Sequence, residues 1–260
     1  GRVAQIRSVP CRTTVDGHMI ILRANEKVMQ RYLGYAIKAH QSEILQLDEG
    51  STGQTELNRE RLLDEIMICY PESIIVQEKI VTIFECIDQK IVVNKKINDN
   101  LEQQAVTYFQ ELYINNANPM WQIGTISDLG TVVGGSTPSK TKPEYYTNNG
   151  IAWITPKDLS INKSKFISHG ENDITELGLK NSSATVMPKG TVLFSSRAPI
   201  GYIAIASNEV TTNQGFKSVV PYLEIGTAFV YFFLKHSLPV IESAASGSIF
   251  KEILGIAMKN

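Results

Sequence analysis

Residues 1–50 of this 260-residue chain are echoed by its last sixty. Gly1-Arg2-Val3-Ala4 answers Gly201-Tyr202-Ile203-Ala204, and Thr13-Thr14-Val15-Asp16-Gly17 answers Thr211-Thr212-Asn213-Gln214-Gly215. The stretch from Tyr32 to Lys38 tracks Phe229 to Lys235, and Gly50-Ser51 tracks Gly247-Ser248. The offset drifts from 200 to 198 to 197, as short loop deletions produce. A unit this long exceeds an ordinary solenoid repeat and indicates a duplicated domain. Gly1 falls inside the repeat and no initiator Met precedes it, so a fragment is expected: one partial module, a connector and one nearly complete module. Two similar readers on a fixed spacer measure a distance.

The connector constrains the rest. Residues 72–115 contain neither Gly nor Pro. In heptads, one seam holds Ile80, Ile87, Asn94, Leu101 and Tyr108, and its companion holds Phe84, Ile91, Asn98, Ala105 and Leu112. That pattern predicts a coiled-coil helix of roughly 60 Å, opened by Pro71 with Glu72 and Ser73 in its first turn and closed at Asn115–Pro119. Packing on its own domain's core is the other reading of such a stripe. Its length and the two seam Asn residues, which cost stability and fix register, favour a partner helix. That helix would come from the protein's own continuation or from another copy.

Charge is uneven. The net charge is −1, but residues 1–31 carry six basic side chains (Arg2, Arg7, Arg12, Arg23, Lys27, Arg31) against Asp16 and Glu26, a net of +4, while residues 41–78 are acidic. A local basic patch inside a neutral chain follows. Three cysteines without CxxC or Cys/His spacing give no zinc motif and point to a reducing compartment. With no signal peptide and no apolar run of membrane length, a cytoplasmic protein without membrane partners is expected.

In residues 119–260, Gly134-Gly135-Ser136-Thr137-Pro138-Ser139-Lys140 superficially resembles a phosphate loop. It lacks the glycine before the lysine, where Ser139 stands, so a Pro-containing turn is expected instead. Ile151–Ile154 and Thr191–Phe194 read as strands, Met187–Gly190 as a turn, Ser195–Ile200 as a tight polar crossing, and Ala228–Ala244 as a buried helix.

The runs GGSTPSKTKPEYY (134–146), IAWITPKDLS (151–160), GLKNSSATVMPKGTVLFSSRAPIGYIAIA (178–206), TTNQGFKSVVP (211–221) and SGSIFKEI (246–253) resemble the target-recognition domain of type I restriction-modification specificity subunits. GSTGQTELNRERLLDEIMICYP (50–71), followed by a long helix, is similar to the end of such a domain running into that family's spacer. The resemblance covers essentially the whole chain, though the family has two full recognition domains and two helices. It implies α/β (α+β) target-recognition domains joined by a long coiled-coil spacer helix. The parts are 1–71, the end of the first domain; 72–118, the spacer; and 119–260, the second domain.

The resemblance further implies a non-catalytic subunit in which each domain reads half of a bipartite site in double-stranded DNA. The spacer would dock modification (methyltransferase) subunits, and a restriction (motor and nuclease) subunit would join them. S-adenosylmethionine, ATP and Mg would belong to those partners. In keeping with this, the sequence has no Asn/Asp-Pro-Pro-aromatic motif and no Walker loop, and His18, His40, His169 and His236 have no acid or nucleophile at motif spacing. No catalytic or metal residue is assigned.

Arg and Lys suit guanine edges and phosphates, and Asn and Gln suit adenine. The second module's candidates are Ser136, Thr137, Lys140, Lys142, Lys157, Lys163, Lys165, Arg197, Asn213, Gln214 and Lys217. In the first they are Arg2, Arg7, Arg12 and His18. Thr211–Gly215 recurs in both modules and so serves the fold in part, and bases are better read where the modules differ. Two other readings stay open: a coiled-coil scaffold without DNA, and a fused restriction endonuclease, for which no convincing PD-(D/E)xK arrangement is present.

Overall fold

The computed structural model describes residues 3–243 apart from 7, 10, 50–55, 122–123 and 198. The chain divides into two compact units, 1–104 and 105–260.

The first unit is helical. It contains α1 (Gln30–Ala39), α2 (Gln41–Gln46), the two-residue strands β1 (Asp48–Glu49) and β2 (Glu56–Leu57), and α3 (Arg59–Glu65). Asn58 caps α3, its Oδ1 accepting the Glu60 and Arg61 N–H groups at 2.9 and 3.3 Å. The core is Ile37, Ile44, Leu47, Leu62 and Ile66. The helix α4 (Ile74–Phe109) then begins and continues as a π-helical stretch over Gln110–Asn115. The spacer helix is thus present, with its start corrected. Pro71 lies before it, Ser73 accepts its first N–H bonds, and the Pro71 carbonyl serves another purpose.

That purpose is a buried lock. Gln77 is fully buried on the first turn of α4; its Nε2 donates to the carbonyls of Pro71 (2.7 Å) and Lys27 (2.9 Å), and its Oε1 accepts the Met29 N–H (2.8 Å). One amide thereby satisfies two backbone groups of the segment leading into α1 and one of the segment leading into α4. A turn further on, Val81 is buried, Tyr35 of α1 stacks on Phe84 at 5.1 Å and donates to Asp88 at 2.7 Å, and Arg31 pairs with Glu85 at 3.0 Å. Of the predicted seam, Phe84 stacks on Tyr35 of the first module and is still exposed. Ile87, Ile91, Asn94, Asn98, Leu101, Tyr108 and Leu112 are exposed, and Ile80 and Ala105 are half-buried.

The repeat forms its helix in both units: α1 matches the start of α7 (Thr227–Ser243), and Ile37 and its equivalent Leu234 are both buried. Its strands do not recur. Met19–Arg23 is equivalent to Lys217–Pro221, a strand in the second unit, yet residues 3–29 include no strand among those described. Ile21 is 56% exposed where its equivalent Val219 is 0% exposed. A strand needs neighbours, and none of the described residues forms a strand beside 19–23.

The second unit has three layers. After β3 (Gly130–Gly134), β4 (Tyr146–Thr147) and β5 (Ile151–Ile154) come α5 (Pro156–Ile161), β6 (Phe166–Ile167), β7 (Asn172–Ile174) and α6 (Glu176–Lys180). Then follow β8 (Val192–Phe194), β9 (Ile203–Ala206), β10 (Thr211–Thr212), β11 (Lys217–Pro221) and α7. One sheet is ordered β3-β11-β8-β9-β6 and the other β10-β5-β7-β4.

Alternation along β8 and β9 explains their unbroken apolar runs. Val192, Phe194 and Ile205 pack under α7 with Val230, Tyr231 and Leu234. Leu193, Ala204 and Ala206 face the other way, against Ala152 and Ile154 of β5 and Leu159 of α5. The turn at 187–190 takes a left-handed Gly190 (φ +89°), with Thr191 N–H closing on the Pro188 carbonyl at 3.2 Å, as a type II turn requires. Apart from the spacer's exact start, the predicted strands, turn and helix of 119–260 stand where they were read.

The buried amide generates the first test. Gln77→Leu removes three hydrogen bonds from buried backbone groups and is expected to destabilise the first unit by roughly 2–4 kcal/mol. Urea unfolding followed at that unit checks this; an unchanged midpoint would contradict the lock.

Candidate nucleic-acid interface

A four-residue crossover decides where the second unit's polar loops meet. β10 lies parallel to β5 in one sheet and β11 lies between β3 and β8 in the other, so residues 213–216 join the ends of both sheets. Register carries the rest to the same end. Gly134 at the end of β3 faces Lys217, Ser195 after β8 bridges Phe216, and β6 runs parallel to β9 with Phe166 beside Ile205, so the residues before β6 lead back toward the β8–β9 hairpin. The loops after β3, after β5, before β6 and between β8 and β9 therefore share one face with the β10–β11 turn.

Backbone bonds stitch these loops together. Gly135 N–H donates to Phe216 O (3.3 Å), Ser136 N–H to Thr212 O (2.8 Å), Asn213 N–H to Ile154 O (3.1 Å) and Ser196 N–H to Gly215 O (2.8 Å). A Cβ at Gly135 would fall 1.9 Å from the Asn213 carbonyl oxygen, so only glycine permits this approach. The glycine-rich run after β3 is a close-packed turn, as expected, and no phosphate cradle.

A groove of about 400 Å3 opens here, walled by Thr137, Lys140, Lys157, Asn172, Asn213 and Gln214 over the Trp153 indole. Trp153 is fixed by its Nε1 donating to Ser136 O at 3.0 Å. Asp158 orders the opposite wall. Its Oδ2 accepts the Thr155 N–H (2.7 Å) and hydroxyl (2.6 Å), capping α5 behind Pro156, while Oδ1 accepts the Glu171 N–H at 2.9 Å and ties α5 to β7. The sequence signal for Asp158 was the Thr155-Pro-Lys-Asp capping box. Asn172 and Glu171 carried no local signal, since they reach the groove through strand pairing.

The predicted residues divide by what they already touch. The Thr137 hydroxyl donates to Gln214 Oε1. Lys157 pairs with Glu171 at 2.5 Å, and that carboxylate holds its ammonium above the usual lysine range. Lys142 donates to the Tyr145 hydroxyl at 3.2 Å, which raises its pKa as well. Lys163 sits 4.7 Å from the Tyr202 ring centre, and Lys165 lies over Tyr231 of α7 at 5.2 Å. Asn213 Oδ1 accepts the Gly215 N–H at 2.9 Å.

Ser136, Thr137, Lys140, Lys157, Arg197, Asn213, Gln214 and Lys217 thus gather at the common face, with Lys163 beside it. Lys142 and Lys165 lie along aromatic walls away from the groove. In the first unit Arg12 and His18 are exposed, though their repeat equivalents Val210 and Phe216 are buried core residues. Arg2 and Arg7 lie outside the described residues.

A second groove of about 700 Å3 adjoins the first, sharing Glu171 with it and lined by Asp173, Glu176 and Glu209 among others. No group of His, Cys, Asp and Glu among the described residues is placed to hold a metal, and no described helix is long and apolar enough to cross a membrane.

The second unit is thus an α/β module whose loops from two sheets gather at one end, in a chain that also carries a long helix with an exposed apolar stripe. The chain belongs to a family: the model described as type I restriction modification DNA specificity domain matches residues 4–103 and again residues 118–260. The double match accords with the internal repeat.

Among curated relatives, the type I restriction enzyme MjaIX specificity subunit of Methanocaldococcus jannaschii is 43% identical over 155 residues, 59% of this chain and 36% of that protein. The EcoR124I/EcoR124II specificity subunit of Escherichia coli is 27% identical over 136 residues, 51% of this chain and 33% of that protein. The matched part is thus about a third of each relative's length. Solved structures similar to this chain include the HsdS subunit from Thermoanaerobacter tengcongensis (15% identity, 88% of this chain and 59% of that one, TM-score 0.44). Another is the type I restriction-modification S subunit from M. genitalium (16%, 88% and 62%, TM-score 0.47).

Gly135→Ala is expected to push the β3 loop off the β10–β11 turn and destabilise the second unit by about 1–3 kcal/mol. Thermal unfolding tests this, and an unaltered melting temperature would show that the loops are not packed as described.

Proposed function

We propose that this chain is a non-catalytic DNA-recognition component of a type I restriction-modification complex, working in the cytoplasm. Each module reads one half of a bipartite duplex site, and the spacer helix docks modification subunits with a restriction subunit. Methyl transfer from S-adenosylmethionine and ATP- and Mg-dependent cleavage fall to those partners. The observation that carries this reading is the convergence of Lys140, Lys163, Arg197 and Lys217 with the amides of Asn213 and Gln214 on one end of the second module. Of the carboxylates in the groove, Glu171 pairs with Lys157 and Asp158 is bonded to the Thr155 and Glu171 N–H groups, so neither opposes a polyanion as a free charge.

On this reading Lys140 and Lys163 contact phosphates. Replacing both by Ala weakens binding to every duplex and lowers the slope of log K against log salt by roughly 1 to 2. Titration of the complex with its modification subunit at several salt concentrations measures it. An unchanged slope removes these lysines from the interface, and the absence of any salt-dependent DNA binding favours the scaffold reading.

The exposed stripe of α4 supports a helical partner. Ile87 and Ile91 are each about half exposed and separated by one turn, with Asn94 and Asn98 in the same seam. Ile87→Asp with Ile91→Asp is expected to leave the first unit folded and abolish helix pairing, read as a lower assembly mass by analytical ultracentrifugation. Unaltered assembly would place the partner on another face.

A further inference from the structure

Lys163, Lys165 and Lys235 form a band of cations that continues from the recognition end of the second unit but lies outside the groove. Lys163 and Lys165 lead into β6, the edge strand of the five-stranded sheet, and Ile205 N–H fixes that segment by donating to Lys165 O at 2.7 Å. Each of the three ammonium groups rests on an aromatic ring. Lys163 Nζ lies 4.7 Å from the Tyr202 ring centre, beside the β8–β9 hairpin. Lys165 Nζ lies 5.2 Å from the centre of Tyr231 and 5.4 Å from that of Phe232. Lys235, one turn along α7 from Tyr231, covers the same ring at 5.7 Å. Lys163 and Lys235 are exposed and Lys165 is half-buried. The band therefore starts beside the polar loops and turns around the β6 edge onto the flank of α7.

Two physical facts separate this band from scattered surface charge. A lysine stem laid on a ring has lost part of its rotamer freedom before a ligand arrives, so binding an anion orders it less. Lys165 and Lys235 also bring two ammonium groups over one ring, where like charges repel until an anion lies beside both. A nucleic-acid backbone supplies closely spaced negative charges in a row, which a band of cations matches and an isolated anion does not.

Position identifies the stretch of duplex. Phe232, whose ring adjoins Lys165, is also 6.3 Å from Phe109 at the end of α4, and Phe109 meets Phe229 and His236 of α7 as well. The band thus lies between the β6 edge and the face of α7 that takes the spacer helix. When two modules on a spacer each read a half-site, the spacer side of a module faces the DNA between them.

We infer that Lys165 and Lys235, continuing from Lys163, hold the phosphate backbone of the gap between the two half-sites. This rests on the DNA-recognition reading above and adds to it a second stretch of duplex. Contacts to phosphate carry no sequence information, so they suit DNA that the module does not read.

The test uses the full chain assembled with its modification subunit, and a duplex that this complex enriches from a randomised library. Lys165→Gln with Lys235→Gln lowers the slope of log K against log salt by roughly 1 to 2 and leaves the enriched motif unchanged. Phosphate ethylation of the same duplex locates the contact. Ethylation within the gap blocks wild-type binding and no longer matters to the Gln pair. Lys165→Arg with Lys235→Arg keeps both the slope and the interference pattern, because a guanidinium retains the charge and stacks on aromatic faces. Lys235→Glu alone, at an exposed position, lowers the slope without disturbing the packing of Lys165.

An unchanged slope and interference pattern in the Gln pair overturns the inference and leaves recognition by the groove intact. So does wild-type binding that ignores ethylation of the gap, or an altered motif in the Gln pair, which would assign these lysines to the half-site. A wild-type complex that enriches no motif refutes the DNA-recognition reading itself.

Discussion

The short crossover from β10 to β11 is the constraint on which the recognition end depends. Two strands in different sheets are joined by four residues, so the sheets must terminate together. Once they do, every loop leaving them on that side becomes a neighbour of every other. Backbone hydrogen bonds from Gly135, Ser136, Asn213 and Ser196 then fix four chain segments without using a side chain. On the proposed reading this matters, because side chains relieved of structural duty are free to change. The buried Thr211, Thr212 and Gly215 hold the turn, and the groove residues decorate it.

The helical part obeys a comparable economy. The repeated helix uses an equivalent position to meet α4 in each unit: Tyr35 stacks on Phe84 in the first, and its counterpart Phe232 lies 6.3 Å from Phe109 in the second. The Phe109 contact is part of a cluster with Tyr113, Phe229 and His236. A duplication that carries its helix-docking residue with it reproduces the attachment without further design. The Gln77 lock is of another kind, because a buried amide binding three backbone groups tolerates no substitute of different geometry. Between these attachments the apolar stripe remains open, as expected of a surface reserved for another helix.

Much of this was legible in the sequence because it was periodic or local. The repeat, the heptads, the strand runs and the capping box at Thr155–Asp158 each announce themselves within a few residues. What escaped was set by tertiary pairing. The stacking of Tyr35 on Phe84, which remains 45% exposed in the seam, is a contact that periodicity does not record. Met19–Arg23 repeats a strand sequence and forms none, since strand propensity is realised only beside neighbours. Asn172 and Glu171 reached the groove through β5–β7 register, which no short motif records. Composition nominated Lys142 and Lys165 alongside Lys140, although aromatic rings distinguish the first two in space.

Local pairing of charge decides how a chain of net charge −1 meets a polyanion on the proposed reading. The groove at the end of the two sheets carries Asp158 and Glu171 beside Lys140 and Lys157. Glu171 is paired with Lys157, and Asp158 is bonded to the N–H groups of Thr155 and Glu171. Over a Debye length of about 8 Å such compensated groups act weakly, and the remaining cations act locally. On that reading attraction comes from a few side chains, and base discrimination is left to the amide and hydroxyl groups that the packed turn holds in place.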